Sequence, residues 1–275
     1  MPGGGMNFEL TEDQELIRRS VAELASKFDD HYWMEKDQAH EFPTGFYRAI
    51  ADGGWLGMTI PVEYGGHGLG ITEATLLAEE VAKSGGGMNA ASSIHLSIFG
   101  MQPVVVHGSE ELKSRTLPRV AAGDLHVCFG VTEPGAGLDT SRITTFAKRQ
   151  DDHYVVNGRK VWISKAMESE KILLLTRTQH YDEVAKKTDG MTLFLTDLDR
   201  SRVDIRPIRK MRPQRGELQR VVHRQFGGPG RGPSRGGRQR FSVHPRRPEP
   251  GADADRRRGA RHRQGRSGAG GEVRQ

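Results

Sequence analysis

Two stretches of this 275-residue chain place chemically useful groups at close spacing: "GVTEPGAGLDTSR", Gly130 to Arg142, and "NGRKVWIS", Asn157 to Ser164. In the first, the Thr132 hydroxyl follows a run of β-forming residues, so a hydroxyl and the N–H and C=O groups at a strand's end can face one ligand. Gly135 and Gly137 let backbone amides approach a negatively charged group that a side chain would hold off. The second stretch adds an aromatic ring, Trp162, and a hydroxyl, Ser164. Each also has a plainer reading: Thr132 packing its methyl group, the glycines making an ordinary turn, Trp162 sitting in a core with Ser164 satisfied beside it. The other reactive residues read as structural. Cys128, the one cysteine, has apolar neighbours and reads as a small core residue rather than a nucleophile. His95 reads as packed or capped, and the remaining histidines show no metal-ligand spacing. "IPVEYGGHGLG", Ile60 to Gly70, lacks the strand-then-helix order of a nucleotide fold and reads as a loop rather than a phosphate cradle.

The elements that must position these groups change character once along the chain. "TEDQELIRRSVAELASKF" pairs Thr11 with Gln14 at capping-box spacing and puts Leu16, Ile17, Val21, Leu24 and Phe28 on one face, which predicts a docking helix. Further helices are predicted from Pro43-Thr44 to Gly53-Gly54, over "TEATLLAEEVAKS", and over "SEELKSRTLPRVAAG" with Ser109 as cap and Gly123 as stop. After Gly123 the period shortens. "HVCFGVTE", "HYVVNGRKVWIS", "KILLLTRT" and "MTLFLTDL" read as strands, with Asn157-Gly158 as a hairpin signal. Helices followed by strands exclude a simple βαβ nucleotide fold and predict an α+β chain. The expected domains are an all-helical one over 1–125 and a β-barrel or sandwich-like one over 126–211.

The remaining segment, 212–275, is different in kind. Met1 to Met211 holds 24 Lys+Arg against 30 Asp+Glu, net −6, whereas Arg212 to Gln275 holds 17 Arg against 5 acidic residues, net +12. With Phe226 and Phe241 as its only Phe, Tyr or Trp residues, this Arg/Gly/Pro-rich segment is expected to be disordered. No run approaches the apolar length of a membrane span and the N-terminus lacks the order of a secretory signal, so a cytoplasmic protein without membrane partner is expected.

The two opening motifs, together with "FPTGFYRAIADGGWLGMTIPVEYGGHGLGITEATLLAEEVA", "HGSEELKSRTLPRVAAGDL" and "GMTLFLTDLD", resemble the acyl-CoA dehydrogenase family over about Asn7 to Met211. The resemblance implies oxidation of the Cα–Cβ bond of an acyl-CoA thioester with FAD as cofactor. It implies flavin contacts at Phe129, Val131, Thr132, Gly137, Leu138, Trp162, Ile163 and Ser164, with Leu138 also on the substrate side. The flavin's pyrimidine edge alternates donors and acceptors, which suits Val131 and Thr132. Two positions depart from the family pattern: Leu138 stands where Ser or Thr is usual, and Lys165-Ala166 replaces a common Asn-Gly or Asn-Ala. Phe129 stands where many members have Tyr. The family also implies electron-transfer flavoprotein as oxidant, a homotetramer, and a glutamate base in a C-terminal helical domain, so no catalytic residue and no metal ligand is expected within 1–211.

Where that domain is expected, the residues offer no helix. Synonymous codons for His244 to Gln264 can be chosen so that a start one nucleotide later spells "ILDGLNPERMLIAAEALGIGK", which has helical apolar spacing and looks like the family's C-terminal domain. A frameshift between Met211 and Gln219, leaving a truncated and inactive form, is the expectation. "RGPSRGGRQR" supplies the rival reading, an RGG-like nucleic-acid-binding tail on a non-catalytic flavin-fold remnant.

Overall fold

The computed structural model describes residues 9–151 and 153–208, together with the backbone of strands at 218–226 and 240–241. Helices come first: α1 (Glu12–Ser26), α2 (Asp30–Ala39), α3 (Thr44–Asp52), α4 (Ile71–Lys83), α5 (Gly87–Ile98), α6 (Gln102–His107) and α7 (Glu110–Ala121). The α1 cap forms as its spacing dictates, with Gln14 N–H donating to Thr11 Oγ1 at 3.2 Å and Thr11 N–H to Gln14 Oε1 at 3.1 Å. Ile17, Val21, Leu24 and Phe28 pack into a cluster built around Trp33, Phe46, Tyr47, Ile50 and Leu77. Leu16, expected on the same face, is exposed instead, because it lies about 100° around the helix from Ile17. Asp29 caps α2, a helix the apolar spacing does not announce, and the buried Trp33 anchors it. Ser109 caps α7 by accepting from Leu112 N–H, and Gly123 follows it at φ +73°.

The glycine-rich loop spends its amides internally. Gly65, Gly66, His67, Gly68 and Leu69 donate to the carbonyls of Val62, Pro61, Gly57, Ile60 and Met58. A Cβ on Gly66 would fall 2.0 Å from the Ile60 oxygen. This is a tightly folded loop with those amides turned inward rather than toward a phosphate.

The strands are β1 (Val127–Gly130), β2 (Phe146–Gln150), β3 (His153–Ser164), β4 (Lys171–Arg177), β5 (Met191–Asp197), β6 (Val203–Pro207), β7 (Leu218–Phe226) and β8 (Arg240–Phe241). They form one mixed sheet in the order β6-β7-β3-β2-β4-β5-β8, with β1 parallel to β4. Among the described residues the strand path is open, ending at β6 and β8, and does not close into a barrel. Successive side chains of β4 alternate: Leu173 faces a cluster shared with α6 and α7, while Ile172 and Leu174 face a second cluster with Cys128, Val156 and Ile163. Both faces being covered explains the unbroken apolar run of "KILLL". The backbone of β7 pairs with β3 and β6, so the sheet continues past Met211, the end expected for the β region. The rest of the basic segment, including the expected disorder and the RGG-like stretch up to Gln239, lies outside the described residues.

Asn157-Gly158 is not a hairpin. β3 continues through it, with a register shift against β7 between Val156 and Gly158, and β2 turns into β3 at Asp151, φ +49°, where Gln150 pairs with His153. Glycine is needed at 158 for close approach: a Cβ there would lie 2.3 Å from Thr145 Oγ1 and 2.6 Å from Thr145 Cα. Gly158→Ala is therefore expected to cost about 1–3 kcal/mol, read as a lower thermal midpoint. An unchanged midpoint would mean that the strand crossing is looser than this geometry.

Candidate functional site

β1 ends at Gly130, and the chain then leaves the sheet through Val131, Thr132 and Glu133 before the Pro134–Gly137 turn. β3 holds this segment from the side. Val161 N–H donates to the Thr132 carbonyl at 2.9 Å, and Lys160 Nζ donates to the Val131 carbonyl at 2.9 Å. The two motifs, distant in sequence, are thus one local structure.

Lys160 Nζ also donates to Glu133 Oε1 at 2.8 Å, with both side chains almost fully buried. Glu133 further accepts from Thr145 N–H at 2.9 Å, Thr144 N–H at 2.7 Å and Thr144 Oγ1 at 2.8 Å. Burial alone would push this carboxyl up, but the Lys160 ammonium and the threonine donors bring it down to about 2. Burial likewise lowers the Lys160 ammonium, against the opposing pull of Glu133.

Immediately after Lys160 and Val161 the strand breaks its alternation. Trp162 has φ +60°, and the β3–β7 register shifts between Lys160 and Ile163. This bulge turns the indole outward, where it is 56% exposed. A left-handed tryptophan costs on the order of 1–3 kcal/mol, and such outliers concentrate at functional sites. The plainer reading of Trp162 as a core residue fails.

Near that ring are polar groups without partners. The N–H groups of Val131 and Thr132, the Thr132 hydroxyl and the Ser164 hydroxyl make no hydrogen bond among the described residues. Gly135 and Gly137 face open space that a Cβ would fill, and Leu138 stands fully exposed beside them. Phe129 is half-buried against the α6–α7 cluster. Ile163, by contrast, lies in the sheet core, so only its backbone can reach a ligand on this side. The arrangement offers hydrogen-bond donors and acceptors along one edge, an aromatic face, and open amides suited to an anion.

Residues 11–124 match the acyl-CoA dehydrogenase N-terminal domain, and residues 128–223 match the acyl-CoA dehydrogenase middle domain. The chain belongs to the acyl-CoA dehydrogenase family. The chain is 32% identical over 187 residues to a 3-(aryl)acrylate reductase of Clostridium sporogenes, covering 68% of this chain and 48% of that one. It is 31% identical over 171 residues to isovaleryl-CoA dehydrogenase of Bos taurus, covering 62% of this chain and 40% of the other. The chain spans about half the length, or less, of these relatives. Among solved structures, an acyl-CoA dehydrogenase of Geobacillus kaustophilus shares the fold at 22% identity, with a TM-score of 0.72 over 80% of this chain and 57% of that one. The family is one of FAD-dependent oxidoreductases.

Lys160 and Glu133 escaped the reading of the sequence, and Lys165 stood out there only as a departure from the family pattern, with no role attached. The signal was there, since each interrupts an otherwise apolar or strand-forming run and none has an obvious exposed role. Lys165, φ +66°, is buried and reaches back to the helices, where Nζ donates to the Ser93 carbonyl at 3.1 Å and sits 4.4 Å from the Tyr47 ring centroid. Burial pulls this ammonium down to about 7. Cys128 is buried and its thiol is pushed up to about 12, which removes it as a nucleophile near neutral pH. His95 Nδ1 lies 3.1 Å from the Ser92 carbonyl, a packed role. Among the described residues there is no cluster that could hold a metal ion, and no helix long and apolar enough to cross a membrane.

Proposed function

We propose that this chain carries the flavin-facing side of an acyl-CoA dehydrogenase site, with FAD as cofactor and an acyl-CoA thioester as substrate class. One observation carries the reading: a left-handed bulge turns Trp162 outward beside groups of Val131 and Thr132 that have no partner among the described residues. The residues present fit the cofactor. Val131 and Thr132 would hydrogen-bond its pyrimidine edge, Trp162 would lie against its ring system, and the Ser164 hydroxyl would donate at its redox-active edge. The amides of Gly135, Gly137 and Leu138 would receive the pyrophosphate, while the Ala136 N–H is spent on the Glu133 carbonyl. Leu138 supplies a backbone amide there but no hydroxyl, so one contact usual in the family is missing on both the cofactor and the substrate side.

FAD held by these residues would supply the hydride acceptor for the substrate's β-hydrogen, in a reaction that also needs a base for the α-proton. In the family that base is a glutamate of the C-terminal helical domain, which neither matched domain carries. The composition of 212–275 and the shifted-frame reading of His244 to Gln264 support an inactive chain in which that domain is read out of frame. Electron-transfer flavoprotein as oxidant, homotetramer formation, a place in cytoplasmic acyl-CoA catabolism, and a helical domain over 1–125 ahead of the β domain belong to the same proposal.

The test is titration of the full chain with FAD, followed by flavin fluorescence. Weak saturable binding is expected, with Trp162→Ala and Thr132→Ala each weakening it several-fold, since one aromatic contact is worth about 0.5–1.5 kcal/mol. Variants that bind as tightly as the parent would sink the assignment.

A further inference from the structure

Three successive residues of β3 do three different things. Lys160 points inward to Val131 O and Glu133, Val161 N–H holds Thr132 O, and Trp162 turns outward. Glu133 in turn is held by the Thr144 and Thr145 amides just before β2, and β2 pairs with β3 from Phe146 to Gln150. The contacts close a ring through 131–133, 144–145 and 160–161. Both carboxylate oxygens are engaged, taking four hydrogen bonds between them. A buried ion pair of this kind is weak as a source of net stability, because desolvation offsets most of the attraction. Its effect on geometry is direct. Lys160 fixes the carbonyl of Val131, whose N–H group has no partner among the described residues, and it does so from two positions before the outward-turned Trp162 ring.

We propose that Lys160 and Glu133 are positioning residues: a buried clamp that sets the spacing between the Val131–Thr132 edge and Trp162, and through that spacing the affinity of the site for a flavin. The clamp touches neither cofactor nor substrate. The inference rests on the flavin reading of the site, and its test separates the two.

The full chain is compared with Lys160→Met and with Glu133→Gln/Lys160→Met, using FAD titration, denaturant unfolding and residue-resolved amide exchange. Lys160→Met leaves a buried carboxylate without its cation and is expected to lose stability, to lose FAD affinity by about tenfold or more, and to exchange faster at the Val161 and Thr145 amides. The double variant removes the uncompensated charge but still cannot hold the Val131 carbonyl. It is expected to regain stability while keeping the affinity loss and the fast Val161 exchange, with Leu173 and Leu174 in β4 as protected as in the parent. If affinity returns along with stability, the pair is merely structural and the proposal is overturned. The double variant decides the matter even if Lys160→Met fails to fold. Should the parent bind no FAD, the flavin reading fails, and exchange still decides the clamp: acceleration confined to Val161 and Thr145 supports it, and acceleration spread evenly through the sheet overturns it.

Discussion

If the proposed frameshift holds, restoring the reading frame between Met211 and Gln219 is expected to turn this chain from a protein that purifies with little FAD into one that purifies yellow and loses its flavin colour on addition of acyl-CoA. The matched domains present groups suited to a flavin edge, a pyrophosphate and an aromatic contact, but the family's proton-removing glutamate belongs to neither. A positioned base contributes about 10² to 10⁴ in rate, and loss of the flavin contacts made by the C-terminal helices compounds that loss, so acyl-CoA oxidation by the unrepaired chain should be undetectable. Replacing the recovered glutamate by glutamine in the repaired protein should keep the colour and abolish the bleaching. If the unrepaired chain bleaches at an ordinary enzymatic rate, the base lies within Met1 to Met211 and the mechanism assigned here is wrong.

What could be read from the sequence followed from how local each signal is. The α1 cap needs only Thr11 and Gln14, three residues apart, and it formed as its spacing dictates. The strand runs of the second half declared themselves through β-forming residues, and the sheet contains them all. Asn157-Gly158 misled because the same dipeptide serves two needs. Here Gly158 permits a strand to cross closely over Thr145, a tertiary demand invisible along the chain. Thr132, Trp162 and Ser164, the groups proposed to face the flavin, stood out through their motifs, yet Ile163, next to Trp162, is a core residue, as the bulge at Trp162 requires. Lys160 and Glu133 went unread because a charged residue inside a strand run carries no marker of its partner, which lies 27 positions away.

Lys165 is the sharpest case, for the departure from the family's common asparagine turns out to be a buried cation between helices and sheet. Lys165→Met is expected to change how stability depends on pH. The lysine's ordinary value of 10.5 falls to about 7 in the fold, with burial as the first cause and Glu168 and Cys128 opposing it. Between pH 7 and 10.5 the unfolded chain therefore holds a proton that the folded chain has released, so this residue makes stability rise with pH across that window and become level below it. At about 1.4 kcal/mol per unit, the rise is on the order of 5 kcal/mol. Methionine keeps much of the length and none of the charge. The variant should thus gain most over the parent at pH 6, with the difference shrinking toward pH 10. The titratable groups around the ammonium are Tyr47, raised by burial, His95, lowered by burial, His126, lowered to about 4, Cys128, raised to about 12, and the Glu168 carboxylate. His126 and Cys128 titrate outside the window, and Tyr47 is common to both proteins, so the difference between parent and variant isolates Lys165. Denaturant unfolding at pH 6, 8 and 10 measures it. A difference that stays constant across the three would mean that the ammonium keeps its proton, held by the Ser93 carbonyl and the Tyr47 ring, and that Lys165 acts as a permanent cation rather than a titrating one.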